Sequence, residues 1–288
     1  MTWPGILGWT ASLLAFIKAQ LVILLLHVLS AGPIPRHVAF EMDGNRRFAR
    51  LTGRRAVDGH SDGFHTLKQI LETCMRLNIH CVTVYAFAIE NFNRPPDEVD
   101  ALMKLAEERL VEIAQNGALL SQYGVRLNVL GHRKLLPVHV QVAIDKAEGM
   151  TRQNNRAILN VCAPYASRHE MTLAVQTVVQ QALDKENFDS SLITEQIIEE
   201  NLMTSLGGSP PLDIFIRTSG VKRLSGFLQW QCCENTQIHM VNTYWPDFGL
   251  WDFVPILLDY QRKVLASVVG IVVPGILILQ RPSPNVAR

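Results

Sequence analysis

Three short runs hold residues that could do chemistry. "DGNRR" places Asp43, Gly44, Asn45, Arg46 and Arg47 directly after the apolar start of "HVAFEMDGNRRFAR". "ENFNRP" sets Asn91 and Arg94 three apart, and "RTSGVKRLSGF" gathers Arg217, Lys222 and Arg223 with the hydroxyls of Thr218, Ser219 and Ser225. A glycine lets the backbone turn tightly, and N–H groups at a helix start favour an anion. Arginines add charge-assisted donors suited to phosphate oxygens. Asp43 would repel a phosphate unless a divalent cation lay between them, and hard oxygen ligands suit Mg²⁺. Each run alone also fits a plainer reading: an Asx-type turn with two solvated arginines, a capped basic loop, or an ordinary turn. His60 in "DGHSDGF" fits a capping or core histidine, and Trp230, Trp245 and Trp251 fit core or interface positions. Taken together, the clusters point to two phosphorylated substrates meeting at a metal.

The elements that must position these runs alternate along the chain. "HVAF", "HCVTVYAF" (80–87), "VRLNVLG" (125–131), "AILNVCAPY" (157–165), "LDIFIR" (212–217) and "TQIHMV" (236–241) read as short buried strands. Helical patterns lie near 61–77, 97–116, 137–152, 168–184 and 250–263. Apolar strands joined by helical crossovers predict a single α/β domain: a central, mostly parallel six-stranded sheet flanked by helices. Ligands in such sheets bind beyond the carboxyl ends of the strands. All three candidate runs stand there. Glu41 is the anomaly, because strand alternation puts it on the same face as Asp43. A buried, unpaired carboxylate would be costly and would tend to raise its neighbour's pKa. Either a nearby base pairs with it, or it is a tolerated variant, or it weakens folding or metal binding.

The 288 residues carry a net charge of +1, so no overall electrostatic case exists for nucleic acid. The five cysteines (Cys74, Cys81, Cys162, Cys232 and Cys233) form no C-x-x-C pair, which reads as a reducing compartment. Neither G-x-x-x-x-G-K-[ST] nor G-x-G-x-x-G occurs, which speaks against nucleotide chemistry, and D-D-x-x-D is missing too. The amino-terminal "ILGWTASLLAFIKAQLVILLLHVLSA" is nearly continuous apolar sequence. It is long enough for about the 20 residues that a membrane crossing needs. It lacks the positive flank of a secretory signal. A spanning anchor and a helix lying on the membrane surface with Lys18 snorkelling both remain open. "AGPIPR" (31–36) breaks the chain after it. The expected organisation is a membrane-associated segment at 1–32, a catalytic domain at 33–265, and an apolar then polar tail at 266–288.

"HVAFEMDGNRRFAR", "GHSDGF", "VTVYAFAIENFNRP", "LNVCAPYASRHEM", "DIFIRTSGVKRLSGFLQWQ" and "WPDFGLWDF" resemble, in collinear order from about 33 to 262, the cis-prenyltransferases (the undecaprenyl diphosphate synthase family). Within them the sequence is most like the eukaryotic, fungal-type dehydrodolichyl diphosphate synthase catalytic subunits. The resemblance implies repeated cis addition of isopentenyl diphosphate to farnesyl diphosphate, giving long-chain dehydrodolichyl diphosphate for dolichol synthesis and protein glycosylation. It implies Mg²⁺ held by Asp43 on the allylic diphosphate. Gly44, Asn45, Arg46, Arg47 and His60 would bind that diphosphate. Asn91 would sit beside the reacting groups as the second catalytic residue. Arg94, Arg217, Arg223 and Ser225 would grip isopentenyl diphosphate. It also implies an endoplasmic reticulum membrane location with the catalytic domain facing the cytosol.

Departures from the bacterial pattern point to the eukaryotic branch. Ala88 stands in place of a serine, Val221 in place of an acid, and Thr236 in place of a metal-supporting Glu, with Glu234 nearby. The bacterial arginine ahead of the histidine falls on Ala56, beside Arg55. After Gln261 the chain reads "RKVLASVVGIVVPGILILQRPSPNVAR", without the R-x-G that completes single-subunit enzymes. The expectation is a Nogo-B-receptor-like partner that supplies it. The apolar tail reads as a membrane or partner contact, or as an artefact such as an unspliced intron. A non-catalytic partner subunit and a homomeric undecaprenyl-type synthase are the alternatives. The intact Asp43–Arg47 run argues against the first, and the missing terminus against the second.

Overall fold

The computed structural model describes residues 4–115, 118–184 and 193–269, with side chains from Phe16 onward to Ser267. Its strands are β1 (His37–Glu41), β2 (Cys81–Tyr85), β3 (Val125–Leu130), β4 (Ala157–Cys162), β5 (Ile214–Arg217) and β6 (Gln237–Met240). They form one sheet in the order β3-β4-β2-β1-β5-β6, with every pair parallel. The helices are α1 (Pro4–Ser30), α2 (Asn45–Leu51), α3 (Ala56–Arg76), α4 (Pro96–Ala114), α5 (Leu119–Tyr123), α6 (Val138–Thr151), α7 (Ser167–Leu183), α8 (Glu195–Glu200), α9 (Met203–Leu206) and α10 (Leu250–Val269). All six strands and five long helices stand where the sequence pattern placed them. The short α5, α8 and α9 were not legible, since one or two turns carry too little periodicity to read.

The sheet divides the core. On one face Val38, Phe40, Val82, Val84, Leu127 and Ile216 join a large apolar cluster covered by α3, α4, α6 and α10. That burial follows from spacing: Leu67, Ile70, Leu71 and Cys74 recur on one side of α3. α4 begins with Pro96 in its first turn followed by Asp97 and Glu98, which suits both the missing N–H and the helix dipole. On the opposite face a smaller cluster gathers Ala39, Phe215, Tyr165 and Phe227.

A buried polar row on that second face had no signal in the sequence. His37 Nε2 meets Thr83 Oγ1 at 2.7 Å and its Nδ1 meets Pro210 O at 2.8 Å. Asn160 Nδ2 then donates to Thr83 Oγ1 (2.9 Å), and Asn128 donates to Asn160 Oδ1 (2.9 Å). The row needs a neutral imidazole that donates at Nδ1 and accepts at Nε2. Burial, the largest influence, lowers the His37 pKa from 6.5 to about 4, against the Pro210 hydrogen bond, which raises it. In the unfolded chain the ring takes up its proton below 6.5, whereas in the fold it does so only near 4. Stability is therefore whole above pH 6.5 and is lost as pH falls toward 4, by about 3 kcal/mol. Urea unfolding at pH 7.5 and 4.5 is expected to show this loss. His37→Asn should flatten it, and an equal slope in that variant would refute the assignment.

The last two turns of α1 belong to the main core. Leu26 and Leu29 are buried in it, and Gln261 of α10 donates to Leu29 O at 2.6 Å. Phe16, Leu21, Leu24 and Val28 are exposed on the other side of the same helix. An all-apolar helix does not announce which side the domain will cover, so sequence alone could not divide the two. No helix among the described residues is long and apolar enough to cross a membrane. The tail beyond Val269 lies outside the described residues. Of the tryptophans expected at core or interface positions, Trp245 is fully buried and Trp251 is 67% exposed, so Trp251 is not a core residue.

Candidate active site

β1 leads leftward in the sheet to β2, while β5 leads rightward to β6, so the strand order diverges between β1 and β5. The crevice beyond their carboxyl ends is the expected ligand position of an open α/β sheet. In the parallel register Glu41 stands opposite Arg217, which puts the two side chains on one face. Arg217 Nη1 lies 2.6 Å from Glu41 Oε1 in an ion pair, and Nη2 donates to Asp43 Oδ2 (2.8 Å). The Arg217 side chain is only 3% exposed. The anomalous carboxylate therefore has a base, on a strand far along the chain.

One guanidinium between two carboxyls cannot neutralise both. Burial pushes the Glu41 carboxyl up to about 8; Arg217 pulls it down and Asp43 pushes it further up. Its Oε2 is buried without a partner. For Asp43 burial also opposes the charged form, yet hydrogen bonds from Arg217 and Ser219 and the charges of Arg217 and Arg47 outweigh it, and its pKa falls. Asp43 therefore holds its charge more readily than the more deeply buried Glu41 does. Thr218 locks the two strand ends together: its Oγ1 donates to Asp43 O (2.7 Å) and accepts from Asp43 N–H (3.0 Å).

Beyond Asp43 the chain turns at Gly44, with φ +105°, into α2. A Cβ there would lie 2.6 Å from Tyr244 Cδ1, so both the dihedral and the space require glycine. Arg47, one turn into α2, reaches Asp43 Oδ1 (3.2 Å) and Ser219 Oγ (2.6 Å), and lies over the Tyr244 ring at 5.4 Å. Asn45 donates to Met42 O (2.9 Å), which fastens the turn. α3 packs hard against α2: a Cβ on Gly59 would come within 2.3 Å of Asn45 O, a backbone atom that cannot swing aside. Gly59→Ala is expected to cost about 1–3 kcal/mol through overpacking. It should also shift α2, weakening diphosphate binding measured by calorimetry. Unchanged melting temperature and binding would contradict this packing.

The other selected residues close the mouth from two sides. Arg94 Nη1 meets Glu98 Oε1 at 3.0 Å, and Arg46 reaches the same oxygen at 3.6 Å. The Asn91 side-chain oxygen accepts from Ala88 N–H (3.0 Å), which leaves its NH₂ as the group that can meet a ligand. His60 Nε2 is buried without a partner. Burial lowers the His60 pKa to about 4, helped by the charge of Arg94, so the ring is neutral at neutral pH. Ser225 Oγ accepts from Arg217 Nη1 (2.7 Å) and from Arg223 Nε (3.1 Å).

All eleven residues selected from sequence line one cavity of about 920 Å³. Its mouth is polar, and its deeper walls are apolar, built from residues such as Leu67, Phe87, Leu110, Ile113, Val140 and Ile144. Ala88 and Val221 also line it, whereas Thr236 does not: that hydroxyl donates at the amino end of β6 to carbonyl oxygens of Leu212 and Gln231. Three contributors were missed. Glu98 had a faint signal in its i,i+4 spacing from Arg94, Ser219 was noted only as one hydroxyl in its loop, and Tyr244 had none. Among the described residues no three His, Cys, Asp or Glu side chains converge as a metal cage. Asp43 is one carboxylate, 29% exposed, at a polar mouth. That fits a divalent cation held jointly by one carboxylate and substrate oxygens, and does not fit an all-protein site.

Comparison with known proteins decides the family. Residues 42–265 match the prenyltransferase family described as "Putative undecaprenyl diphosphate synthase". The chain belongs to this family. This prenyltransferase is 44% identical to a dehydrodolichyl diphosphate synthase complex subunit of Schizosaccharomyces pombe, over 85% of this chain and 91% of that protein. It is 41% identical to the human dehydrodolichyl diphosphate synthase complex subunit, over 82% of this chain and 70% of the human one. Among solved structures it resembles lavandulyl diphosphate synthase from Lavandula x intermedia in complex with dimethylallyl diphosphate. The TM-score there is 0.72, with 29% identity, covering 79% of this chain and 95% of that one.

Proposed function

We propose that this prenyltransferase is the catalytic subunit of a dehydrodolichyl diphosphate synthase. It extends farnesyl diphosphate by repeated cis addition of isopentenyl diphosphate. One observation carries the reading: a single cavity of about 920 Å³ joins a mouth of arginines, an amide and one ionised aspartate to an apolar interior. A prenyl diphosphate has the same two-part character. The matched names support it, since the S. pombe and human relatives are dehydrodolichyl diphosphate synthase complex subunits.

The residues divide the work as follows. Arg46, Arg47, Asn45, the Gly44 turn and His60 bind the allylic diphosphate. Arg94, Arg217, Arg223 and Ser225 hold isopentenyl diphosphate. Asn91 steadies the reacting ends between them. The isopentenyl double bond attacks the allylic carbon, the allylic C–O bond breaks, and the proton lost from the isopentenyl unit leaves with a diphosphate oxygen. Fixed guanidinium groups stabilise the charge that develops on the departing diphosphate. Asp43 would hold Mg²⁺, which when bound neutralises further charge on the same leaving group. The apolar walls between the sheet and α3, α4 and α6 shelter the growing chain.

The exposed apolar side of α1 supports attachment to a membrane surface, with the endoplasmic reticulum and a cytosol-facing catalytic domain as the location the family suggests. An accessory subunit of the Nogo-B-receptor type would supply the R-x-G terminus. The "complex subunit" names of the S. pombe and human relatives support such a partner. Radiolabelled isopentenyl diphosphate incubated with farnesyl diphosphate, Mg²⁺ and this chain, with and without that subunit, tests the reading. Absence of labelled polyprenyl product in both reactions would overturn it.

A further inference from the structure

We infer that Arg50, which the motif comparison left without a role, is an additional binding residue for the allylic diphosphate. This inference rests on the function proposed above. Of the seven arginines that line the cavity, five are already committed to carboxylates. Arg217 holds Glu41 and Asp43, Arg47 holds Asp43, Arg46 and Arg94 share Glu98, and Arg109 pairs with Glu112. Among the described residues, Arg50 and Arg223 alone line the cavity without an acidic partner. They stand on different elements. Arg223 follows β5, in the loop that holds isopentenyl diphosphate, and Arg50 lies on α2.

Helical geometry explains the placement. Arg46, Arg47 and Arg50 are separated by three and four residues, so α2 presents all three guanidinium groups on neighbouring positions of one side. Ala49, between them, is buried toward α3 and fixes which way α2 faces. The next two arginines do not compete for the role. Arg54 is held by Asp62 (2.6 Å), Arg55 by Asp58 (3.2 Å), and neither lines the cavity. An arginine already bound to a carboxylate must share or exchange that partner when a diphosphate arrives. One without such a partner brings its whole charge and fork of donors to the ligand. The site thus keeps one uncommitted guanidinium for each diphosphate.

Calorimetric titration of the full chain, with and without the accessory subunit, using the unreactive analogue farnesyl thiodiphosphate and Mg²⁺, tests this. Arg50→Gln should weaken binding about tenfold, the scale of one charge-assisted hydrogen bond at a part-exposed site. Arg50→Lys should recover most of it, and the melting temperature should stay unchanged. In turnover assays the KM for farnesyl diphosphate should rise while that for isopentenyl diphosphate stays fixed. If the unsubstituted chain binds the analogue and Arg50→Gln binds it equally well, the role of Arg50 is refuted while the proposed function stands. If the unsubstituted chain does not bind it in either setting, the proposed function itself falls.

Discussion

Arg217→Met is expected to destabilise the protein by about 3–5 kcal/mol and to abolish turnover. Methionine fills similar space but leaves the Glu41 and Asp43 carboxyls without the cation that faces both. Removing one partner of a buried pair leaves the other uncompensated, and that residue, rather than the lost attraction, accounts for most of the cost. The change also strips the Arg223 carbonyl and the Ser225 hydroxyl of their donor, which loosens the second diphosphate loop. A second substitution separates the two effects. Glu41→Ile in the Arg217→Met background removes the deeper carboxyl, so melting temperature should recover in part while turnover stays lost. Should the single variant melt with the unsubstituted protein, Arg217 does not bridge the strand ends. Should the double variant regain turnover, Arg217 has no part in substrate binding.

Asp43→Asn should act in the opposite way, sparing the fold and removing catalysis. The residue is half-buried, its shape is kept, and Thr218 still anchors its backbone. Turnover should fall by about a thousandfold, the upper scale for losing one preorganised electrostatic contact to a transition state. Binding gives a sharper signature through its sign. Without Mg²⁺ the aspartate repels a diphosphate and occupies Arg47 and Arg217, so Asp43→Asn should bind farnesyl thiodiphosphate more tightly than the unsubstituted chain. With Mg²⁺ the order should reverse, since the asparagine offers no charge to the cation. Calorimetry at zero and millimolar Mg²⁺ reads both. A variant that still gains affinity from Mg²⁺ as the unsubstituted chain does would show that Asp43 is not where the cation sits.

These two residues also mark how far the sequence could be read. Buried parallel strands declare themselves as short apolar runs, because both faces are covered, and the helices between them declare themselves by spacing. So "HVAF" and "LDIFIR" were legible as strands, and the charged runs after them as strand ends. That Glu41 could meet a base was legible, but which base was not, because the partner lies on β5. Parallel pairing sets Glu41 opposite Arg217 through a crossover that no local pattern records. The row from His37 to Asn128 was hidden for the same reason, being assembled from four strands that each contribute one polar side chain.

The sequence by itself determined the alternating strands and helices, the residue types at the strand ends, and the family through long motifs in collinear order. Those properties are local or additive along the chain. The tertiary structure decided which arginines are committed to carboxylates and which are not, that one guanidinium serves both Glu41 and Asp43, and which side of α1 the domain covers. Those depend on strand order, register and helix approach, which bring together groups far apart in sequence at distances of a few ångströms. Charge and burial act at that range, so the state of Asp43 follows from the fold around the motif more than from the motif itself.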